Sequence, residues 1–200
     1  MISIYKIKPE FQKLLTPVMR WLHKIGVNAN QITLYFILLS FAIGAAFWFA
    51  ESNRILFLAL PIGLLIRMAL NALDGMMART YHQQSKKGEM LNEMGDIVSD
   101  LFIFFPLLAY EPENLYLIVL FISLSIVNEF SGLLGKVISG KRRYDGPMGK
   151  SDRAFIIGLY GILGFFSVDL KGYSAWFFFL VSLLIVLSTS IRLYRALAKQ

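Results

Sequence analysis

The chain has 200 residues, of which 56% are hydrophobic and only 16% are charged, with a formal net charge of +7. Soluble domains carry about 25% charged residues, and one of this size has too little interior to bury so much apolar surface. The composition therefore excludes a soluble domain and predicts an integral membrane protein. Because the sequence has no cysteine, disulfides, thiolate metal sites and cysteine nucleophiles are also excluded.

The basic character and the scarcity of histidine narrow the range of partners. In a membrane protein, excess Lys and Arg is expected to face the cytoplasm and anionic lipid headgroups, so no nucleic-acid partner is predicted. The two histidines, His23 and His82, are too few for a histidine-rich zinc site. Any metal is expected to have oxygen ligands, which favours Mg²⁺, Mn²⁺ or Ca²⁺.

Residues 1–27 form a basic segment before the apolar stretches begin, without the apolar run of a cleavable signal peptide. Apolar residues recur in it at helical spacing, at Phe11, Leu14, Leu15, Val18, Met19 and Leu22. This spacing predicts an amphipathic helix in the lipid headgroup layer. A cytosolic helix packed on the rest of the protein is the alternative.

Residues 28–200 are predicted to form one all-α domain, a bundle of six transmembrane helices. Each of six apolar stretches is long enough, or nearly so, to cross a bilayer. They lie near Gln31–Ala50, Ile55–Leu73, Ile97–Tyr110, Leu115–Leu134, Ala154–Val168 and Tyr173–Ile191. The third stretch is short, so its helix is expected to extend upstream through Leu91–Asp96 and to include polar residues.

The distribution of basic residues predicts the orientation. With six spans, every Lys and Arg except Arg54, Arg67 and Lys171 falls in segments on one side of the membrane. Short loops rich in Lys and Arg face the cytoplasm, so both termini are predicted to be cytoplasmic. Arg142 and Arg143, in the loop after the fourth span, are expected to contact lipid headgroups.

Polar side chains cluster at the cytoplasmic ends of the second and third predicted spans, where charges are costly and usually functional. Asn71 and Asp74 are three residues apart and share one helix face. Asn92, Asp96 and Asp100 recur every four residues along the next helix. Because a short basic loop joins the two helices, their polar faces can meet. Such convergent oxygen ligands predict a divalent cation that bridges a substrate diphosphate.

Three residues beside this cluster suit phosphate binding. Gly75 allows a ligand to approach the backbone closely. Arg79 places a cation at the level of the phosphates, and Gly88 permits a tight start of the third span.

The segment from Asn71 to Asp96 resembles the signature of the class-I CDP-alcohol phosphatidyltransferase family, D-x₂-D-G-x₂-A-R-x₈-G-x₃-D-x₃-D. Every spacing is kept, and the agreeing positions are Asp74, Gly75, Ala78, Arg79, Gly88 and Asp96. The departures are Asn71 and Asn92, at the first and third aspartate positions. Gly26–Thr33 resembles the start of the family's first span, and Gly149–Arg153 resembles its GKxKT-like element. The NALDG and LNEMGD segments are similar to those of one bacterial branch.

The resemblance implies transfer of a phosphatidyl group from CDP-diacylglycerol, or a similar CDP-linked lipid, to an alcohol, with release of CMP. It implies Mg²⁺ or Mn²⁺ as cofactor, a bacterial inner membrane, a cytoplasmic site and a possible homodimer. Asp96 is the implied general base. The implied metal ligands are Asn71, Asp74, Asn92 and Asp96, with Asp100 restoring a lost charge. The implied contacts to nucleotide, phosphate or acceptor are Gly75, Ala78, Arg79, Gly88, Lys150 and Arg153.

The sequence leaves alternatives open for the function. Asparagine at two aspartate positions removes two negative charges. A degenerate family member that binds CDP-lipid or metal without turnover is therefore the competing hypothesis. A small transporter with an intramembrane ion site is a third. The acceptor alcohol stays open.

Individual residues also have alternatives. Asp100 is a general base if the register shifts by one turn, or else an ion-pair partner. Asn71 and Asn92 can serve as interhelical hydrogen-bonding groups. Arg67 and Glu129 lie within spans and either pair with each other or contact substrate.

Overall fold

The computed structural model describes residues 8–168 and 172–198, and all regular structure in these residues is helical. The α-helices of this described part are α1 Lys8–Lys24, α2 Ala29–Trp48, α3 Ala59–Thr80, α4 Lys86–Phe104, α5 Leu107–Tyr110, α6 Leu115–Ser139, α7 Lys150–Phe165 and α8 Ser174–Leu197. Short 3₁₀ helices at Arg54–Leu58 and Pro112–Asn114 precede α3 and α6. Lys6, Lys171 and Lys199, which the predicted orientation counts, lie outside the described residues.

Four helical segments among the described residues are long and apolar enough to cross a membrane. They are Ala29–Trp48, Arg54–Thr80, Pro112–Ser139 and Ser174–Leu197. The all-helical membrane class is thereby confirmed, and the four segments overlap the first, second, fourth and sixth predicted spans. The third and fifth correspond to α4, which is rich in charged residues, and to α7, which has 16 residues where a span needs about 20.

The helix of the third stretch begins far upstream of Ile97, as expected. The Ser85 hydroxyl accepts a hydrogen bond from the Gly88 N–H at 3.0 Å, which caps α4 at its polar end. At its other end α4 stops at Phe104, and a separate short helix, α5, follows Pro106. Proline has no N–H to continue a helical ladder, so the stretch Ile97–Tyr110 is divided between two helices.

The first helix contacts the rest of the bundle through one face. Leu15 and Met19 of α1 are buried against apolar side chains of α3, whereas Leu14, Val18 and Trp21 are exposed. α1 therefore packs on the bundle through one face, which is the alternative that the sequence left open.

The long helices pack in close pairs. α6 lies against α8, α2 contacts both α3 and α4, and α3 also contacts α7. At Gly44 of α2 a Cβ atom would lie 2.1 Å from the Phe102 carbonyl oxygen of α4, so only glycine permits this approach. Aromatic rings fill the core at the far end of α2, where Phe47 stacks on Tyr110 with ring centroids 4.8 Å apart.

Side-chain caps fix the helix ends that carry the polar residues. At the start of α2, the Asn28 side chain accepts from the Gln31 N–H at 3.0 Å, and Gln31 Oε1 accepts from the Asn28 N–H at 2.9 Å. Gln83, between α3 and α4, accepts from the Ala29 N–H at 2.8 Å. These bonds hold the start of α2, the end of α3 and the start of α4 together.

Candidate active site

A cavity of about 920 Å³ opens at this end of the bundle. Its walls come from α1, α2, α3, α4, α6, α7 and α8 and from the loop between α6 and α7. The predicted site residues that line it are Asn71, Asp74, Gly75, Ala78, Arg79, Gly88, Asn92 and Lys150. Asp96, Asp100 and Arg153 are buried behind this lining, with exposed fractions of 6% or less.

The four residues at the signature's aspartate positions meet as two hydrogen-bonded pairs, each joining an amide of one helix to a carboxylate of the other. Asn71 Nδ2 on α3 donates to Asp96 Oδ1 on α4 at 2.9 Å. Asn92 Nδ2 on α4 donates to Asp74 Oδ2 on α3 at 2.5 Å. The Thr33 hydroxyl of α2 also donates to Asp74 Oδ2, at 3.1 Å. We call Asn71, Asp74, Asn92 and Asp96 the crossed pairs.

The crossed pairs offer two carboxylates and two amide oxygens. Mg²⁺ usually binds through one or two carboxylates, together with substrate phosphates and water, so this donor set fits one such ion. Within residues 8–168 and 172–198, no three Asp, Glu or His side chains are grouped closely enough to hold a metal ion by themselves. A divalent cation bound by the crossed pairs would therefore complete its coordination with water or with phosphate oxygens.

Lys150 brings a positive charge to the crossed pairs from α7. Its Nζ atom donates to Asp96 Oδ1, and its side chain is 22% exposed, compared with 3% for that of Asp96. Asn71 donates to the same Oδ1 atom. Both of these contacts fall on the Oδ1 atom of Asp96.

One helical turn deeper lies a set of buried ion pairs formed by Arg67, Asp100, Glu129, Arg142 and Arg153, which we call the arginine network. Asp100 accepts from Arg67 Nη1 at 2.7 Å and from Arg153 Nη2 at 2.9 Å. Glu129 accepts from Arg153 Nη2 and from Arg142 Nη2, both at 2.8 Å. Arg153 is fully buried.

The arginine network bears on four sequence hypotheses. Asp100 has the ion-pair role that the sequence kept as an alternative, and its role as a metal ligand stays a prediction. Arg67 pairs with Asp100 and Glu129 pairs with two arginines, rather than with each other. The predicted contact of Arg153 with phosphate likewise stays a prediction.

Several residues that line the cavity were not predicted from the sequence as site residues. The expected lipid contact of Arg142 is replaced by ion pairs with Glu93, at 2.9 Å, and Glu129. Arg192 of α8 lines the cavity and donates to the Asn128 carbonyl oxygen at 2.5 Å. The sequence marks Arg192 only as a basic residue near the C-terminus. Thr33, which also lines the cavity, is marked only by its place in Gly26–Thr33.

Two charged groups near the cavity, outside the predicted spans, have shifted pKa values. Burial by itself would lower the pKa of the Arg142 guanidinium, but Glu129, Tyr144 and Glu93 raise it overall, so Arg142 stays cationic. Burial raises the pKa of the Asp152 carboxyl, although the hydrogen bond from the Gly149 N–H, 2.9 Å long, acts in the opposite direction.

Comparisons with known proteins show the family of the chain. The family model described as CDP-alcohol phosphatidyltransferase matches residues 27–189. The chain therefore belongs to the CDP-alcohol phosphatidyltransferase family. It is 50% identical over 161 residues to the inner membrane protein YnbA of Escherichia coli, covering 80% of each chain. It is also 30% identical over 95 residues to an uncharacterized protein of Aquifex aeolicus, covering 48% of this chain and 46% of the other.

The fold is shared with solved structures of the phosphatidylinositol phosphate synthase of Mycobacterium tuberculosis. The form with bound CDP-DAG matches with a TM-score of 0.75 at 20% identity, covering 92% of this chain and 94% of that one. The form with manganese and citrate matches with a TM-score of 0.74 at 21% identity, covering 90% and 88%. The resemblance inferred from the signature, including its YnbA-like bacterial branch, is thus confirmed.

Proposed function

We propose that the protein transfers a phosphatidyl group from CDP-diacylglycerol, or a similar CDP-linked lipid, to an alcohol acceptor during phospholipid synthesis. The observation that carries this proposal is the meeting of the crossed pairs with Lys150 and Arg79 at a cavity of about 920 Å³. A cavity of this size suits a nucleotide headgroup, and its charges suit a diphosphate. The CDP-DAG bound to the mycobacterial synthase of the same fold supports the donor.

In this reaction the acceptor oxygen forms a bond to the phosphorus that carries the diacylglycerol. The bond between that phosphorus and the oxygen shared with CMP breaks, and CMP leaves with that oxygen. Asp96 takes the acceptor proton on Oδ2, since Oδ1 is held by Asn71 and Lys150. A positioned general base contributes about 10²- to 10⁴-fold to a rate.

The donor diphosphate is proposed to lie along α3 and the start of α4, against Gly75, Ala78, Arg79 and Gly88. A Cβ atom at Gly75 would lie 3.3 Å from Arg79 Nη1, so glycine leaves room for the guanidinium beside the helix. At Gly88 a Cβ would lie 2.6 Å from the Asn30 side-chain oxygen, so glycine lets α4 start close to α2. The crossed pairs would hold Mg²⁺ or Mn²⁺, which neutralises phosphate charge when bound.

In the proposed membrane arrangement, six helices cross a bacterial inner membrane, with α4 and α7 added to the four apolar spans. Asp96 and Asp100 on α4 have partners on α3 and α7, so they face protein rather than lipid. The exposed face of α1, including Trp21, lies in the headgroup layer. The cavity and both termini face the cytoplasm, residues 28–200 form the bundle, and two chains form a homodimer.

A second function, binding of a CDP-linked lipid without turnover, has one observation in its favour. Both carboxylates of the crossed pairs already have hydrogen-bond donors from this chain, and two of the four aspartate positions carry no charge. Such a site can bind a diphosphate through Lys150 and Arg79 without activating an acceptor.

The experiment that separates the two functions is CMP release by the purified protein from CDP-diacylglycerol, with Mg²⁺ or Mn²⁺. The acceptors are pooled: inositol phosphate, glycerol phosphate, serine and sugars. We expect metal-dependent CMP release that falls about 100-fold or more in Asp96→Asn. Glu113→Gln removes an exposed carboxylate at the opposite end of the bundle and should leave the rate unchanged. No CMP from protein that still binds the CDP-lipid would contradict transfer and support the binding function.

A further inference from the structure

The negative charge that is free to hold cations at this site is small. The carboxylates of Asp100 and Glu129 each accept from two arginines at 2.7 to 2.9 Å. Glu89 and Glu93 pair with Lys136 and Arg142, and Asp152 accepts from the Gly149 N–H. The crossed pairs themselves carry two negative charges, on Asp74 and Asp96. Two divalent cations would bring four positive charges to this pair, in addition to the charge of Lys150, so mutual repulsion opposes the second cation.

The two asparagines act against a second cation in another way. Each Nδ2 group donates to a carboxylate oxygen, Asn71 to Asp96 and Asn92 to Asp74. A second cation between these side chains would have to displace both hydrogen bonds and would find amide hydrogens where lone pairs are needed. An amide donates two hydrogens but has one oxygen to offer a metal. These two hydrogen bonds therefore oppose the binding of a second cation.

Lys150 lies at an unfavourable position for a cation, but it contacts a carboxylate of the site. It is the first residue of α7, where the positive end of the helix dipole disfavours a cation. Its Nζ atom nevertheless contacts the buried Asp96 carboxylate, 54 residues away in the sequence, and Lys150 lines the cavity. The ammonium group thus stands beside the crossed pairs as a fixed positive charge.

We propose that this site binds a single divalent cation and that the Lys150 ammonium group stands where a second cation would otherwise bind. The inference rests on the proposed function in so far as the cation is the one that meets the donor diphosphate. Lys150 then serves as a positioning residue that supplies one positive charge beside Asp96 at any metal concentration.

The test is to count Mn²⁺ bound to the purified full-length chain, using the electron paramagnetic resonance signal of free Mn²⁺ during a titration with Mn²⁺ alone. The wild type should bind one Mn²⁺ per chain. Lys150→Met should still bind one, about tenfold more tightly, because a neighbouring positive charge is gone. Lys141→Met is the matched control, since Lys141 is an exposed lysine of the preceding loop, and its affinity should equal that of the wild type.

A triple variant sharpens the count. Asn71→Asp, Asn92→Asp and Lys150→Met together should bind two Mn²⁺ per chain, with a spectrum broadened by coupling between the two ions. Two Mn²⁺ on the wild type, none on the wild type, or weaker binding by Lys150→Met would each overturn the inference. One Mn²⁺ on a folded triple variant would overturn it too, and if that variant does not fold, the wild type and Lys150→Met decide.

The number of Mn²⁺ ions bound per chain and the proposed function can be contradicted independently of each other. One bound Mn²⁺ with no CMP release leaves the single-cation site standing and removes the transferase. CMP release by a wild type that binds two Mn²⁺ leaves the transferase standing and removes the role of Lys150.

Discussion

The crossed pairs and the arginine network are consecutive levels of one ladder between α3 and α4. Going inward from the cavity, Asn92 donates to Asp74 at 2.5 Å, Asn71 donates to Asp96 at 2.9 Å, and Arg67 donates to Asp100 at 2.7 Å. The spacing of the ladder is the same at its two inner levels, since Arg67 and Asn71, like Asp96 and Asp100, are four residues apart. The difference lies in the donor that α3 or α4 supplies: a neutral amide at two levels and a guanidinium at the third.

This difference shows that burial alone does not make a carboxylate of a membrane bundle a catalytic residue. At Asp100, guanidinium groups cancel the charge, and the ion pairs tie α3, α4 and α7 together. At Asp74 an amide and a hydroxyl satisfy one oxygen without cancelling the charge, which stays available to a cation. Under the proposed function, the first level serves substrate and the third serves the fold.

The largest expected effect comes from breaking the arginine network at its centre. Arg153→Met leaves Asp100 and Glu129 each with one arginine fewer, and breaking a buried ion pair in this way costs about 3–5 kcal/mol. Unfolding of the detergent-solubilised protein by heat or denaturant measures the loss. Arg153→Lys keeps the charge and should lose clearly less. An unchanged unfolding midpoint in Arg153→Met would remove the structural role of the network.

Restoring an aspartate sharpens the comparison from the other side. Asn92→Asp places a second carboxylate beside Asp74, so we expect half-maximal activity at an Mg²⁺ concentration about tenfold lower. This change corresponds to about 1.4 kcal/mol in the free energy of Mg²⁺ binding. Without Mg²⁺ the same variant should unfold more easily than the wild type, because two carboxylates repel each other. Asn53→Asp, an exposed cap at the far end of the bundle, is the control. A Mg²⁺ requirement that does not change would place Asn92 outside the metal's ligands.

A smaller effect is expected from the hydroxyl that supports the outermost level. Thr33→Val removes one hydrogen bond to Asp74 and should lower the free energy of unfolding by about 1 kcal/mol. Thr16→Val is the matched control, because the Thr16 hydroxyl bonds only within α1, to the Gln12 carbonyl. Equal losses in the two variants would show that Thr33 does not support Asp74.

The smallest effect is expected at the surface. Glu89 and Lys136 pair across the mouth of the cavity, with side chains 47% and 41% exposed. Exposed pairs contribute about 0.2–1 kcal/mol and are screened by salt. Glu89→Gln should therefore change the unfolding midpoint slightly at low salt and not measurably at high salt. A loss as large as that of Arg153→Met would contradict the contrast between buried and exposed pairs.

Helical spacing was enough to predict which polar residues share a face. The intervals between Asn71 and Asp74, and between Asn92, Asp96 and Asp100, placed two faces opposite each other, and the polar start of α4 followed from the shortness of its apolar stretch. Both rest on local geometry, which a sequence carries directly. The family was indicated by the resemblance of the segment from Asn71 to Asp96 to the family's signature.

Contacts between segments that are far apart in the sequence could not be predicted from helical spacing. Lys150 is paired with Asp96 across 54 positions and Arg153 with Glu129 across 24, and no local periodicity specifies which cation meets which carboxylate. For Arg142, a basic loop residue, the sequence predicts contact with lipid headgroups. In the structure Arg142 instead forms ion pairs with Glu93 and Glu129. Choices of this kind depend on how the helices pack.

The most direct test of the account compares one substitution at two consecutive turns of α4, Asp96→Asn and Asp100→Asn. For each variant, the free energy of unfolding and the CMP released per folded molecule are measured with CDP-diacylglycerol, Mg²⁺ and the pooled acceptors. The account predicts that Asp96→Asn unfolds nearly as the wild type does but loses about 100-fold or more in CMP release. Asp100→Asn should lose stability and keep most of its activity per folded molecule. A loss of CMP release in Asp100→Asn equal to that in Asp96→Asn would contradict the division between the two levels.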